Sequence, residues 1–217
     1  GFLTPKFAQS STIGNYFALP YYKVIKDNID LTFTPRVYTD DKIILQTEYR
    51  HLTKNSNHVL DFSIKNKSPL DLLEQKTSSQ SHFFSNSSFK LNLDYFDQSK
   101  IDLQVQQTSD DSYLKKYKIY SPLIDATSSL HTKINFEAIN DYTDLNVKSE
   151  VYENLSEPQS DRYEYILPSY SYSKLLYEDF FNGNVIFSSI GHNKLYDTNI
   201  SEKLIINDFK YNSDDII

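Results

Sequence analysis

Cysteine, methionine and tryptophan are absent from the 217 residues, and glycine occurs only four times. Without cysteine there is no disulfide framework, no thiolate zinc site and no thiol nucleophile. Four glycines are too few for loops that cradle phosphates through bare backbone. The lack of methionine, with Gly1 in first place, predicts a piece of a longer chain. Positive charge is also scarce. Lys and Arg number 22 against 29 Asp and Glu, a net charge of -7, which argues against a phosphate-neutralising surface and so against nucleic acid as a partner. No apolar run approaches the roughly 18 residues that a membrane helix needs.

Chemistry-bearing patterns are equally thin. His51, His58, His82, His131 and His192 show no metal-ligand spacing. No G-x-S-x-G elbow presents a nucleophilic serine. The acidic pairs Asp40-Asp41, Asp110-Asp111 and Asp214-Asp215 fall in expected turns or strand ends, where Asp is ordinary turn chemistry. The expectation is therefore no catalytic residue, no metal and no cofactor. Disorder is countered by 18 Tyr and 14 Phe among many Ile and Val, since chains that fail to fold are poor in these types.

What the chain does have is alternation. Ile29, Leu31, Phe33, Pro35 and Val37 lie on one side of an extended segment, and Asp30, Thr32, Thr34, Arg36 and Tyr38 on the other, because successive strand side chains point to opposite faces. The same period-2 pattern recurs over 43–51, 60–65, 88–95, 101–107, 130–138 and 144–151, and less cleanly over 162–173, 183–191 and 202–211. With 15–24 in front, this predicts about eleven strands. Short polar turns such as Asp27-Asn28 and Asn140-Asp141 separate most of them, which implies hairpins and antiparallel pairing. Longer connections fall near 66–80 and 109–126.

Alternation alone fits either a soluble β-sandwich or a membrane barrel. Ten residues at about 3.3 Å each, tilted near 45°, rise about 23 Å, close to the apolar band of an outer-membrane barrel. Tyr22, Tyr38, Tyr49, Tyr95, Tyr142 and Tyr152 sit towards strand ends, as an interfacial aromatic girdle would have them. An odd strand count suits an arc of a larger barrel, since single-chain bacterial barrels have even numbers.

Three opening segments carry a resemblance: Gly1-Phe2-Leu3-Thr4-Pro5-Lys6-Phe7, Ala18-Leu19-Pro20-Tyr21-Tyr22, and Leu31-Thr32-Phe33-Thr34-Pro35-Arg36-Val37-Tyr38. They are followed by Glu48-Tyr49-Arg50-His51-Leu52, Thr108-Ser109-Asp110-Asp111-Ser112-Tyr113-Leu114-Lys115-Lys116-Tyr117 and Arg162-Tyr163-Glu164-Tyr165-Ile166-Leu167-Pro168. Together they resemble the start of the barrel domain of the LptD family, outer-membrane proteins that assemble lipopolysaccharide in Gram-negative bacteria. The resemblance implies an all-β, antiparallel, up-and-down transmembrane barrel in the cell outer membrane, present over 1–217 as a partial arc. Residues 1–13 would be a lead-in and strands would begin at about 14; a periplasmic jelly-roll domain and further strands would lie elsewhere. It also implies lipopolysaccharide and outer-membrane lipids as partners, the LptE lipoprotein as a plug, and a periplasmic lipopolysaccharide bridge reached through the jelly roll. The alternatives are an outer-membrane porin or receptor barrel, or a secreted carbohydrate-binding sandwich.

Two prolines stand inside strands, where the missing N–H breaks a ladder. In the LptD-like reading Pro20 and Pro35 lower the cost of opening a lateral gate through which lipopolysaccharide leaves the lumen. Asp30, Arg36, Glu48 and Arg50 would face that lumen. Pro168 is expected to mark only a local bulge. If the strand of 15–24 starts in the periplasm, parity puts 66–80 and 109–126 on the periplasmic side, against the rule that periplasmic turns are short. Either the family departs from the rule or the strand count is off by one.

Overall fold

The computed structural model describes residues 1–9, 13–39, 42–66, 80–158, 160–197 and 200–213. The acidic pairs Asp40-Asp41 and Asp214-Asp215, and most of the connection 66–80, lie outside them. Thirteen strands form one sheet: β1 (Lys6–Ala8), β2 (Tyr16–Ala18), β3 (Tyr21–Lys26), β4 (Ile29–Tyr38), β5 (Ile43–Leu52), β6 (Ser56–Lys65), β7 (Ser81–Leu91), β8 (Gln98–Thr108), β9 (Ser129–Ile139), β10 (Thr143–Asn154), β11 (Tyr163–Tyr177), β12 (Gly183–Tyr196) and β13 (Ile200–Ser213). Among the described residues one short helix, α1 (Tyr113–Lys116), interrupts the pattern. The hydrogen-bonded order is β1-β2-β4 and then sequential to β13, with β3 also on β4. Among the described residues β1 and β13 end the order.

The described residues hold thirteen strands where about eleven were expected, for two reasons. The lead-in is itself paired, through Lys6–Ala8 on Tyr16–Ala18 and a bridge between Phe2 and Tyr21. The strand expected over 15–24 is split at Leu19-Pro20 into β2 and β3, both of which lie on β4. From β4 to β6 the register is unbroken, Ile29↔His51 through Val37↔Ile43 and Ile44↔Lys65 through Leu52↔Asn57. The turns use the chemistry their residues suggest. Asn140 Oδ1 accepts the Tyr142 and Thr143 amides at 3.0 and 2.7 Å, and Thr53 Oγ1 accepts the Ser56 amide at 2.9 Å, closing each turn without glycine. At Pro168 the partners of β11 shift, with Lys148↔Ser169 followed by Glu150↔Ile166. Leu167 and Pro168 together oppose one residue, a bulge that spares the ladder a missing donor.

The chain divides into two compact units. The first comprises Gly1–Ser87, Gln104–Leu130 and Asn154–Ser156. Its two sheet faces invert the soluble norm. Val37, Phe62, Ile64 and Phe83 are 43–50% exposed, while Arg36, Asp61, Ser63 and His82 on the opposite face are 0–7% exposed. Water-soluble proteins bury the first kind and expose the second. A sandwich would do the same, pressing apolar faces together; here the apolar face is bare. The polar face is covered by the chain's own connection between β8 and β9. Tyr113, Leu114, Tyr117 and Ile119 of that connection join Ile13, Tyr38, Ile44, Phe84, Leu130 and Leu155 in a buried cluster. Burying four such side chains contributes about 6–12 kcal/mol as an upper figure, enough to hold the segment down.

The second unit comprises Ser88–Leu103, His131–Glu153 and Glu157–Ile217. The register places Leu145, Tyr172, Phe187 and Phe209 on one face, with Phe187 and Phe209 rings 4.9 Å apart. On the other face Lys148 and Glu150 of β10 meet at 2.9 Å, and across strands His131 lies 3.0 Å from Glu150, Lys194 2.8 Å from Glu164 and His192 2.9 Å from Glu202.

Candidate functional site

The backbone around the two prolines is the most unusual feature of the first unit. Residues Ala18↔Arg36 and Tyr21↔Phe33 share one register, so Leu19 stands opposite Pro35 and Pro20 opposite Thr34. Leu19 N–H donates to the Pro35 carbonyl at 3.3 Å. In an antiparallel ladder such a pair exchanges two bonds, and the return bond from residue 35 is impossible because proline has no N–H. The same holds one strand over. Tyr22 N–H donates to the Gly1 carbonyl and Leu3 N–H to the Pro20 carbonyl, both at 2.8 Å. Gly1↔Tyr22 exchanges bonds in both directions; the next exchanging pair, Leu3 with Pro20, keeps only one. Each proline therefore removes half of a bonded pair, on adjoining seams at nearly the same height. On its other side Pro35 leaves the β4–β5 register continuous. The weakness is directed towards the start of the sheet.

Inside these seams lies the polar face. The register puts Asp30, Thr32, Thr34 and Arg36 of β4 beside Arg50, Glu48, Gln46 and Ile44 of β5. Asp30, Arg36, Glu48 and Arg50 share this face but form two groups. Arg50 Nε donates to Asp30 Oδ1 at 2.8 Å and approaches Glu48 at 3.7 Å. Arg36 is separate. Its Nη1 donates to the Tyr117 and Lys118 carbonyls at 3.4 and 3.3 Å, and its Nη2 to Gln46 Oε1 at 2.7 Å. Gln46 Nε2 in turn donates to both Asp61 carboxylate oxygens at 3.0 Å and to the Tyr120 carbonyl at 2.8 Å.

The chain of contacts continues through β6 and β7 and returns to the covering segment. His82 Nε2 faces Asp61 Oδ1 at 3.4 Å. Ser63 Oγ is hydrogen-bonded to His82 Nδ1 at 2.6 Å and to the Tyr113 hydroxyl at 2.7 Å. Lys65 Nζ donates to the Tyr117 hydroxyl at 3.4 Å. Burial pushes the Tyr113 phenol up to about 12, so it stays neutral at any physiological pH. Asp61, Ser63 and His82 have the composition of a nucleophilic triad but not its exposure. They are almost wholly buried, and the Ser63 hydroxyl is saturated by His82 and Tyr113, leaving no room for a reacting carbonyl. Their work is to fasten the segment 109–126 to the wall. Among the described residues no group of three or more His, Asp or Glu side chains is disposed to hold a metal ion.

The near end of that segment is set by Asp110. Partial burial opposes ionisation, but the Ser112 hydroxyl at 2.7 Å, the Gln80 amide at 3.0 Å and the Ser112 backbone amide hold its carboxyl below the usual range. This is the turn role expected of the pair Asp110-Asp111. Sequence reading did not foresee the fastening of 109–126 or the buried Asp61, Ser63 and His82. One signal was available: Tyr113, Leu114 and Tyr117 fall on one face of a single helical turn, inside a connection longer than most.

Comparison with known proteins gives one consistent result. No family model matches the chain. The LPS-assembly protein LptD of Pseudoalteromonas translucida (strain TAC 125) is 38% identical over 71 residues, 33% of this chain and 10% of that protein. LptD of Pseudomonas putida (strain W619) is 36% identical over 75 residues, 35% of this chain and 8% of that protein. LptD of Ralstonia nicotianae is 45% identical over 60 residues, 28% of this chain and 7% of that protein. The matched stretch spans a tenth or less of these relatives' length. The similarity to LptD read from the opening residues is thus found again in full pairwise comparison.

Proposed function

We propose that this chain is part of an outer-membrane barrel that delivers lipopolysaccharide to the outer leaflet and releases it sideways through its first, incompletely bonded strands. The observation that carries the reading is the pair of half-empty bonded positions at Leu3–Pro20 and Leu19–Pro35 in a sheet whose apolar face is bare. In hydrocarbon a missing backbone bond costs several kcal/mol, so strands that forgo two of them are poised to part. The relatives' name, LPS-assembly protein, supplies the cargo. The bare apolar face meets lipid, the polar face of Asp30, Arg36, Glu48 and Arg50 lines the lumen, and the protein moves its cargo without chemistry of its own. Through the rest of the full protein it takes LptE as a plug and a periplasmic bridge as its source.

Orientation follows from the paired lead-in. Counting residues 1–8 as the first strand, a start in the periplasm puts the turns at 27–28, 53–55, 92–97 and 140–142 on the periplasmic side. The longer connection 109–126 is then outside, in keeping with the usual barrel rule. The conflict met in the sequence came from omitting that strand. Depletion of the full-length protein tests the function: lipopolysaccharide should vanish from the cell surface and accumulate behind the outer membrane. Surface lipopolysaccharide that persists after depletion would refute transport.

A further inference from the structure

A cleft of about 380 Å³ opens on the polar side of the seams, lined by Lys6, Pro20, Thr34, Arg36, Glu48 and Lys118 among others. Its electrostatics run against those of the chain. In a protein of net charge -7, the cleft gathers three cations against the single carboxylate of Glu48. None of the three cations is paired with a carboxylate among the described residues. Arg36 is spent on two carbonyls and the Gln46 amide, and only Gln46 links it to Asp61. Buried on neutral acceptors, its charge is little screened and projects into the cleft. Exposed Lys6 and Lys118 add two ammonium groups to the lining. Thr4, Thr32, Thr34 and Tyr120 contribute hydroxyls, while Leu3, Ala18, Pro20 and Pro122 give one wall an apolar surface.

We infer that this cleft is an anion subsite that holds the phosphorylated headgroup of an amphiphilic glycolipid beside the proline seams. The inference rests on the transport reading and names the part of the cargo that is held there. Unpaired cations with hydroxyl donors suit phosphate oxygens; the apolar wall suits the first carbons of acyl chains. Placement next to Pro20 puts the held headgroup at the point where the strands are least bonded. The segment that carries Lys118 and Tyr120 is the one fastened by Arg36 and Gln46, so the subsite exists only while that segment is seated.

The test uses the full-length protein in its native membrane complex, with a photo-crosslinking side chain at Thr34. The probes are a bis-phosphorylated glycolipid and its phosphate-free analogue. The phosphorylated form should crosslink about fivefold better, the scale of two partly solvated charge-assisted contacts. Lys6→Glu with Lys118→Glu should abolish that preference, and Lys6→Arg with Lys118→Arg should keep it; the arginine pair controls for folding. Equal crosslinking of both lipids, or a preference that survives the glutamate pair, would overturn the subsite. Inorganic pyrophosphate that competes as well as the glycolipid would reassign the cleft to free phosphate and overturn the lipid assignment. If depletion strips surface lipopolysaccharide while crosslinking ignores phosphate, the subsite alone falls. If depletion changes nothing, the transport reading falls with it.

Discussion

Replacing both Pro20 and Pro35 with alanine probes the seams directly. Each alanine restores one N–H to a position whose partner already donates correctly: residue 20 opposite Leu3, and residue 35 opposite Leu19. A restored backbone bond contributes about 0.5–1.5 kcal/mol. Two on adjoining seams give about 1–3 kcal/mol, which lowers the opened population roughly 5- to 150-fold. The lower end applies if the ladder stays loose around Thr4-Pro5, and the upper end applies if both bonds form with full geometry. Amide exchange of Leu3 and Leu19 in the full-length protein in lipid nanodiscs should slow by that factor, and lipopolysaccharide should reach the surface more slowly. Exchange at Leu3 and Leu19 that does not change, together with normal delivery, would refute the idea that the prolines keep these strands loosely joined. Slower exchange with normal delivery would separate the bonding argument, which would stand, from the gate, which would not.

Three further outcomes follow from the same geometry. Phe62→Lys puts a charge on the bare apolar face and should cost about 2–4 kcal/mol of barrel stability near the bilayer midplane, read by urea titration in lipid vesicles; a change under about 0.5 kcal/mol would point to a water-facing surface. Arg36→Met strands the Tyr117 and Lys118 carbonyls, so exchange at 117–120 should rise by about 1.5–3 kcal/mol of lost protection; unchanged protection would mean that the apolar cluster alone holds the segment. Asp110 has a depressed carboxyl, so its contribution is present above the unfolded value near 4 and is lost as pH falls through the folded value. Exchange at 112–117 should therefore rise on acidification below about pH 4, and Asp110→Ala should remove that dependence.

How much of this could be read from the sequence depended on which forces act locally. β4 was legible to the residue, Ile29–Tyr38, because one apolar and one polar side impose strict alternation on each strand by itself. β7 was not. Its span of Ser81–Leu91 is rich in Ser and Asn that blur the period, whereas Leu93 and Tyr95 continue the alternation past the chain reversal, so the pattern suggested 88–95. The split of the first strand at Leu19-Pro20 was anticipated as a weak point, yet its form depends on which way each proline nitrogen faces, and that is a matter of register. Asp30 and Arg50 are register partners on one face, a placement that parity alone expresses. Arg36 had the same parity, but its burial under Tyr117 and Lys118 is a contact across 81 and 82 residues of chain. Nothing in its neighbourhood announces it. The same is true of Asp61, Ser63 and His82, which become a set only when β6 and β7 lie side by side.

The measurement that reaches the central claim most directly is nitroxide scanning across β5 and β6 in the full-length protein in lipid bilayers. Labels at Leu45, Phe62 and Ile64 should be relaxed strongly by oxygen dissolved in lipid and hardly at all by a water-soluble nickel chelate, while a label at Glu48 should show the reverse and one at Ser63 should be shielded from both. Equal access of oxygen to the two faces, or a nickel chelate that reaches Leu45 and Phe62, would contradict the account.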